Sequence, residues 1–260
     1  MRVPFLESFA TIWKDGYFEG TPTDPMAAST YGIVGYHSSL YLAYVCCIKP
    51  YVRADATVIE IGSGRGAWTK AIADLNPERI YAVDVVTPEY SGFWNYVGKR
   101  KNVEHIIVED FSLSGIPDAS ADYFFSFGCF CHLKPDMCVS YIHSLSHKMK
   151  PGAHGFLMIA DFDKFNACFS DYKGHSLWRA FVGKRFALVR LAFRLTVNLF
   201  QGKFIPPKPD KAESDSAKSG AWFHLGVDNA CNAISEAGFH VIERDMQINH
   251  RDPIIHFIKL

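Results

Sequence analysis

Between residues 55 and 162, short β-branched or aromatic runs alternate with segments of helical spacing. That rhythm predicts a parallel sheet with helices on both faces. Five apolar runs of strand length fall at 57–61, 79–85, 103–108, 123–127 and 155–160. Helical spacing over 67–75 stops before Asn76-Pro77, and over 136–149 it ends at Lys150-Pro151-Gly152. Two further strand-like runs, 239–244 and 254–259, close the chain and suit an antiparallel hairpin. The expectation is a seven-stranded, mostly parallel α/β sheet ending in that hairpin.

Two regions break the rhythm. Residues 1–54 are rich in aromatics and turn signals and read as a cap segment, with a buried helix from about Ser38 to Ile48 ahead of Pro50. Residues 163–221 read as an inserted lid. Between Asp171 and Asp210 there are eight Lys/Arg and no acid, and a Pro/Lys/Ser-rich stretch follows. The core then divides into 55–162 and 222–260.

Bulk properties narrow the function classes. A 260-residue chain that is 48% hydrophobic can bury a large core, and its formal net charge of zero gives no overall bias toward nucleic acid. Seven cysteines form no disulfide framework, no secretory leader is read at the start, and no uncharged run of spanning length occurs. These features predict a cytoplasmic protein. The segment 178–203, with Arg179, Lys184, Arg185, Arg190, Arg194 and Lys203 among large apolar residues, has three readings. It is a cap helix with a solvated basic face, a clamp for an anionic group on a substrate, or a helix resting on the inner face of an anionic membrane.

The chemistry concentrates where the first strand ends, in Val58-Ile-Glu-Ile-Gly-Ser-Gly-Arg-Gly-Ala-Trp-Thr69. Glycines at such positions take positive φ and let backbone N–H groups approach a ligand, and the helix start that follows favours a carboxylate. Gly62, Gly64 and Ala67 loosely satisfy a dinucleotide-binding spacing, so the loop alone is ambiguous. Glu60 two residues before the first glycine, Asp84 ending the second strand and Asp110 ending the third add three carboxylates in register.

Together, Glu60-x-Gly62-x-Gly64-x-Gly66, Asp84 and Asp110-Phe111 resemble the cofactor signature of the class I S-adenosylmethionine-dependent methyltransferases. The run from Ala121 to His132 is similar to that family's fourth motif, and Lys148-Met-Lys-Pro-Gly-Ala-His-Gly to its fifth-strand approach. The resemblance implies a Rossmann-like fold with S-adenosylmethionine as cofactor. It implies that Gly62, Ser63, Gly64 and Gly66 flank the amino-acid end, with Glu60 orienting the loop. Asp84 and Val85 hold the ribose, Asp110 accepts from the adenine amino group, and Phe111 flanks the ring. Phe127 and Gly128 line the floor near the sulfonium. Tyr31 and His37, in a glycine- and aromatic-rich N-terminal piece, are candidate lid contacts.

Transfer to a hydroxyl benefits from a base, and transfer to an amine needs the amine uncharged; histidine suits either task. His132, after the fourth strand, is the leading candidate, and His224, just past the insertion, is the second. Asp161 and Asp163 would be a metal-assisted variant, but the fourth strand offers no acid, so no metal site is assigned. Cys129, Cys131 and His132 lack the second ligand pair of a zinc site. The expected reaction is O-methylation of a small molecule such as a sugar or anionic glycan precursor, phosphorylated or lipid-linked, with no nucleic-acid partner. The alternatives are N-methylation of a small amine, a nicotinamide-dependent oxidoreductase, or a cofactor-binding module without turnover.

Overall fold

A computed structural model describes residues 20–26, 33–34, 37–174 and 222–260. Tyr31, most of the cap segment, and the insertion from 175 to 221 with its basic stretch 178–203 lie outside the described residues. Near the start, β1 (Ile33–Val34) pairs antiparallel with β2 (His37–Ser38). The Ser38 hydroxyl then accepts from the Leu40 N–H and caps α1 (Ser39–Ala43), which runs on as a π-helical turn over Tyr44–Ile48. This is the helix expected before Pro50. It buries Leu40, Ala43, Cys47 and Ile48.

The core is one seven-stranded sheet of β3 (Thr57–Ile61), β4 (Arg79–Asp84), β5 (Val103–Ile107), β6 (Ala121–Ser126), β7 (Met149–Met158), β8 (Phe239–Glu243) and β9 (Ile254–Lys259). Its order is β5-β4-β3-β6-β7-β9-β8, parallel as far as β7, with β9 antiparallel to both β7 and β8. Apolar side chains point to both faces. Ile59, Ile61 and Phe124 enter one buried layer, while Val58, Tyr123 and Phe125 enter the other. Side chains alternate across a strand, so a strand apolar at every position must be covered twice.

The helices supply that cover: α2 (Ala67–Ala73), α3 (Pro88–Ser91), α4 (Phe93–Val97), α5 (Pro135–Lys148), α6 (Phe162–Gly174) and α7 (Val227–Glu236). The spacing predicted α2 and α5 but not α3, α4 or α7. With four and five residues, and Gly92 at φ 68° between them, α3 and α4 are too short to show a period. The buried stripe of α7 is Ala230, Cys231, Ala233 and Ile234, opposite a clearly polar face, in a ten-residue segment to which the sequence reading gave no element of its own. The fifth central strand also starts earlier than expected. Lys150, Pro151 and Gly152 lie inside β7, where its pairing to β6 shifts register between Ala121 and Tyr123, so proline's missing N–H is tolerated.

The chain leaves β3 for β4 on one side and returns to β6 on the other. The carboxyl ends of β3 and β6 therefore flank the switch point at which open α/β sheets bind ligands. No helix among the described residues is long and apolar enough to cross a membrane.

Candidate active site

Two turns meet at this switch point: the glycine loop after β3 and the segment Phe127–His132 after β6. A Cβ on Gly62, whose φ is 85°, would lie 2.3 Å from Cys129 Cβ. Glycine here is thus demanded twice, by backbone angle and by the approach of the neighbouring turn. Gly66, at φ 90°, has a different reason: a Cβ would meet Val97 at 2.2 Å and Phe93 at 3.0 Å. Its missing side chain lets α4 close on the loop, so Gly66 also serves packing. The Ser126 hydroxyl donates to the Ile61 carbonyl (2.7 Å) and ties the two strand ends together.

Glu60 sits beneath the loop, 1% exposed. The Thr69 hydroxyl, from α2, donates to its Oε2 at 2.6 Å, while Oε1 is buried and has no partner among the described residues. Burial pushes the Glu60 carboxyl up to about 8, the Thr69 hydrogen bond opposing and the charge of Asp84 adding to the rise. Asp84, at the tip of β4, accepts from the Gly64 N–H at 2.7 Å through Oδ2 and from the Val86 N–H at 3.0 Å through Oδ1. Burial raises its pKa, against those two N–H groups and His105. Two acids thus share one electrostatic neighbourhood under a loop of N–H groups, and the Ser63 hydroxyl is also buried with no partner among the described residues. An orphaned carboxyl oxygen and an orphaned hydroxyl suit a zwitterionic amino-acid group. The residues present fit S-adenosylmethionine: Glu60, Ser63 and the loop would hold its amino-acid end, and Asp84 its ribose.

Asp110 differs from the other two acids in being exposed. Its Oδ1 accepts from the Ser112 hydroxyl (2.6 Å) and the Ser112 N–H (2.8 Å), which together hold its carboxyl below the usual range. No helix begins here, so Asp110 fixes a turn and is not a helix cap. Phe111 meets Tyr141 of α5 edge-on at 4.9 Å. Tyr141 is buried, and burial first, then the charges of Cys129, Asp84 and Asp110, raises the pKa of its hydroxyl. The sequence reading did not single it out. Thr69 was missed as well. Its only signal is a hydroxyl on a helix face that is otherwise apolar. Val85 is buried behind Asp84, Phe127 packs on Trp68 at 4.7 Å, and Gly128 turns with φ 73°.

His132 ends a single 3₁₀ turn, Phe130–His132, half-buried at the carboxyl edge of β6. The Phe223 N–H donates to the Cys131 carbonyl at 2.8 Å, so the exit of the insertion is fastened one residue from His132. Exposed His224 accepts the Phe162 N–H at Nδ1 (3.0 Å), and its ring lies 5.0 Å from that of Phe162. One of its nitrogens is thereby committed to bracing the start of α6, which leaves Nε2 alone for chemistry. Asp161 accepts from the N–H groups of Asp163 and Lys164 through Oδ1 and of Val227 through Oδ2. Burial works to raise its pKa, but those N–H groups outweigh it and hold the carboxyl low. The carboxylate considered as a metal ligand is instead the clamp that starts α6 and α7. Among the described residues no group of three or more His, Cys, Asp or Glu could hold a metal ion. His37 is exposed in β2, its ring stacked on Tyr41 at 5.7 Å.

Comparison with solved structures first defines the fold. The chain aligns with geranyl diphosphate C-methyltransferase from Streptomyces coelicolor A3(2) over 99% of each chain, with TM-score 0.57 and 9% identity. It aligns with an S-adenosylmethionine-dependent methyltransferase from Mesorhizobium loti over 85% of this chain and 98% of that one, with TM-score 0.55 and 10% identity. For mitomycin 7-O-methyltransferase the values are 86% and 54%, 0.52 and 16%. No curated protein sequence matches the chain. Residues 59–157, from β3 to β7, match the family model described as a methyltransferase domain. Residues 59–157 accordingly carry a methyltransferase domain on a Rossmann-like fold.

Proposed function

We propose that the enzyme methylates an oxygen of a small anionic acceptor, such as a sugar or glycan precursor carrying a phosphate or a lipid-linked phosphate. The observation that carries this reading is the rooting of the insertion. Phe223 is bonded to Cys131, and Phe162 to His224, so residues 163–221 leave and rejoin the core beside His132. An acceptor bound under such a lid meets a histidine at the sheet edge and, in the sequence of the lid, six cations between 178 and 203. Few acids in that stretch make a cationic amine the poorer guest.

When bound, the cofactor supplies an electrophilic methyl group on a sulfonium. What the chain contributes is placement and a proton acceptor. Glu60 and the loop N–H groups would fix the amino-acid end, Asp84 would accept from the ribose, and Asp110 and Phe111 would hold the adenine. His132 would accept the proton of the acceptor hydroxyl. Placement of the acceptor beside the cofactor is what the chain contributes most to the rate of such a displacement. The basic segment also gives a route to the inner face of a membrane, where a lipid-linked acceptor would reside.

The test is calorimetry with S-adenosylhomocysteine and NAD, followed by methyl-transfer assays on phosphorylated sugars, neutral sugars and small amines. The expected outcome is binding of S-adenosylhomocysteine alone and transfer to the phosphorylated sugars. Transfer only to amines would replace the oxygen reading.

A further inference from the structure

One titratable side chain near the carboxyl end of the sheet is used neither by the fold nor by the transfer step. His105 lies in β5 opposite Ala82 of β4, and Ile107 lies opposite Asp84. Side chains two apart share a face, so His105 and Asp84 are diagonal neighbours on one side of the sheet. The His105 ring packs edge-on against Phe93 of α4, with centroids 4.8 Å apart. Both its nitrogens are sealed from solvent, and neither has a hydrogen-bond partner among the described residues. A neutral imidazole brings one donor and one acceptor, and each left unmet in a buried place is destabilising. The charged groups that act on the ring are Asp84 from β4 and Glu89 from α3; Phe93 brings no charge. Burial lowers the pKa of the ring against both acids, so above its ordinary value of 6.5 it is a neutral dipole beside a carboxylate.

We propose that His105 is a positioning residue for the cofactor: with the cofactor bound, its unused ring N–H turns to the Asp84 carboxylate and orients it for the ribose hydroxyls. This rests on the ribose reading of Asp84. The Gly64 and Val86 N–H groups already hold one oxygen each of that carboxylate, and the imidazole lies diagonally beside it with a donor unused. The unmet nitrogen weakens the protein by itself and finds its acceptor when a bound ribose draws Asp84 into place. A residue kept for packing alone has no such trade-off.

The experiment measures S-adenosylhomocysteine affinity and unliganded melting temperature for the full chain and for H105L, H105Q and D84N. H105L is expected to bind about tenfold more weakly while melting no lower than the wild type, because leucine removes an unmet polar group. H105Q keeps a donor and is expected within about threefold of wild-type affinity. In the wild type, the His105 ring ¹⁵N resonances are expected to move when S-adenosylhomocysteine is added, a readout that needs no variant to fold. Unchanged affinity in H105L, a loss that tracks a lower melting temperature, no rescue in H105Q, or ring resonances that stay put would overturn the proposal. D84N separates the two readings. If D84N binds normally, the Asp84 reading falls. If D84N loses binding and H105L does not, only the role of His105 falls.

Discussion

Both halves of the sheet bury polar side chains, but they treat them in opposite ways. In the amino half, His154 Nδ1 lies 2.9 Å from His256 Nε2, Tyr51 packs on both rings at 4.8 and 5.2 Å, and Phe156 stacks on His256 at 4.2 Å. The Tyr123 hydroxyl nearby donates to the Cys47 carbonyl at 2.6 Å. These polar atoms are consumed within the fold. At the carboxyl end, Glu60 Oε1, Ser63 Oγ and both nitrogens of His105 are buried and have no partner among the described residues. The first arrangement secures the core. The second leaves polar groups that a ligand can satisfy, a frequent signature of a functional site.

The largest test of this contrast is Gly62→Ala. The φ of 85° and the 2.3 Å approach to Cys129 should cost about 3 kcal/mol of stability and abolish cofactor binding, read by urea unfolding and calorimetry. A variant that unfolds like the wild type would show that the two turns are not locked together. Next, His132→Ala should lower turnover about 100-fold while S-adenosylhomocysteine affinity stays within about twofold, which separates chemistry from binding. Equal turnover would make His132 structural.

Two pH experiments set one half of the sheet against the other. Glu60 is pushed up to about 8 from an ordinary 4.5, so between those values the folded chain keeps a proton that the unfolded chain has lost. Its contribution to stability is complete below pH 4.5 and fades as pH rises through 8. Glu60→Gln removes that slope, so its advantage over the wild type should grow by about 2–3 kcal/mol from pH 5 to 8.5 in thermal unfolding without ligand. A constant difference would mean that Glu60 is ionised where it stands. His256 is the mirror case: burial, then the neighbouring His154, lowers it from 6.5 to about 4, with Glu243 opposing. The folded chain holds it neutral, so that stability is present above pH 6.5 and is lost as pH falls through 4. His256→Leu should flatten the acid loss by about 1–2 kcal/mol. An unaltered acid limb would place the acid sensitivity elsewhere.

Much of this was legible in the amino-acid order, because it depends on local pattern. Alternating apolar runs and helical stretches set the strand count and the terminal hairpin. The glycine spacing, with Glu60, Asp84 and Asp110 each at a strand end, set the cofactor class, since a short strand followed by a tight turn puts its last residue at one edge of the sheet. What the order could not decide are contacts between residues far apart in it. Asp161 was an acid after the fifth strand, weighed for a metal and not assigned, until Val227, 66 positions later, was found bonded to it. Nor did the order show that Gly66 is where α4 closes on the loop. His105 was one polar residue inside a strand until the parallel register set it diagonally beside Asp84. Periodicity reports which face a side chain takes, but which partner waits on that face is fixed only when distant segments pack.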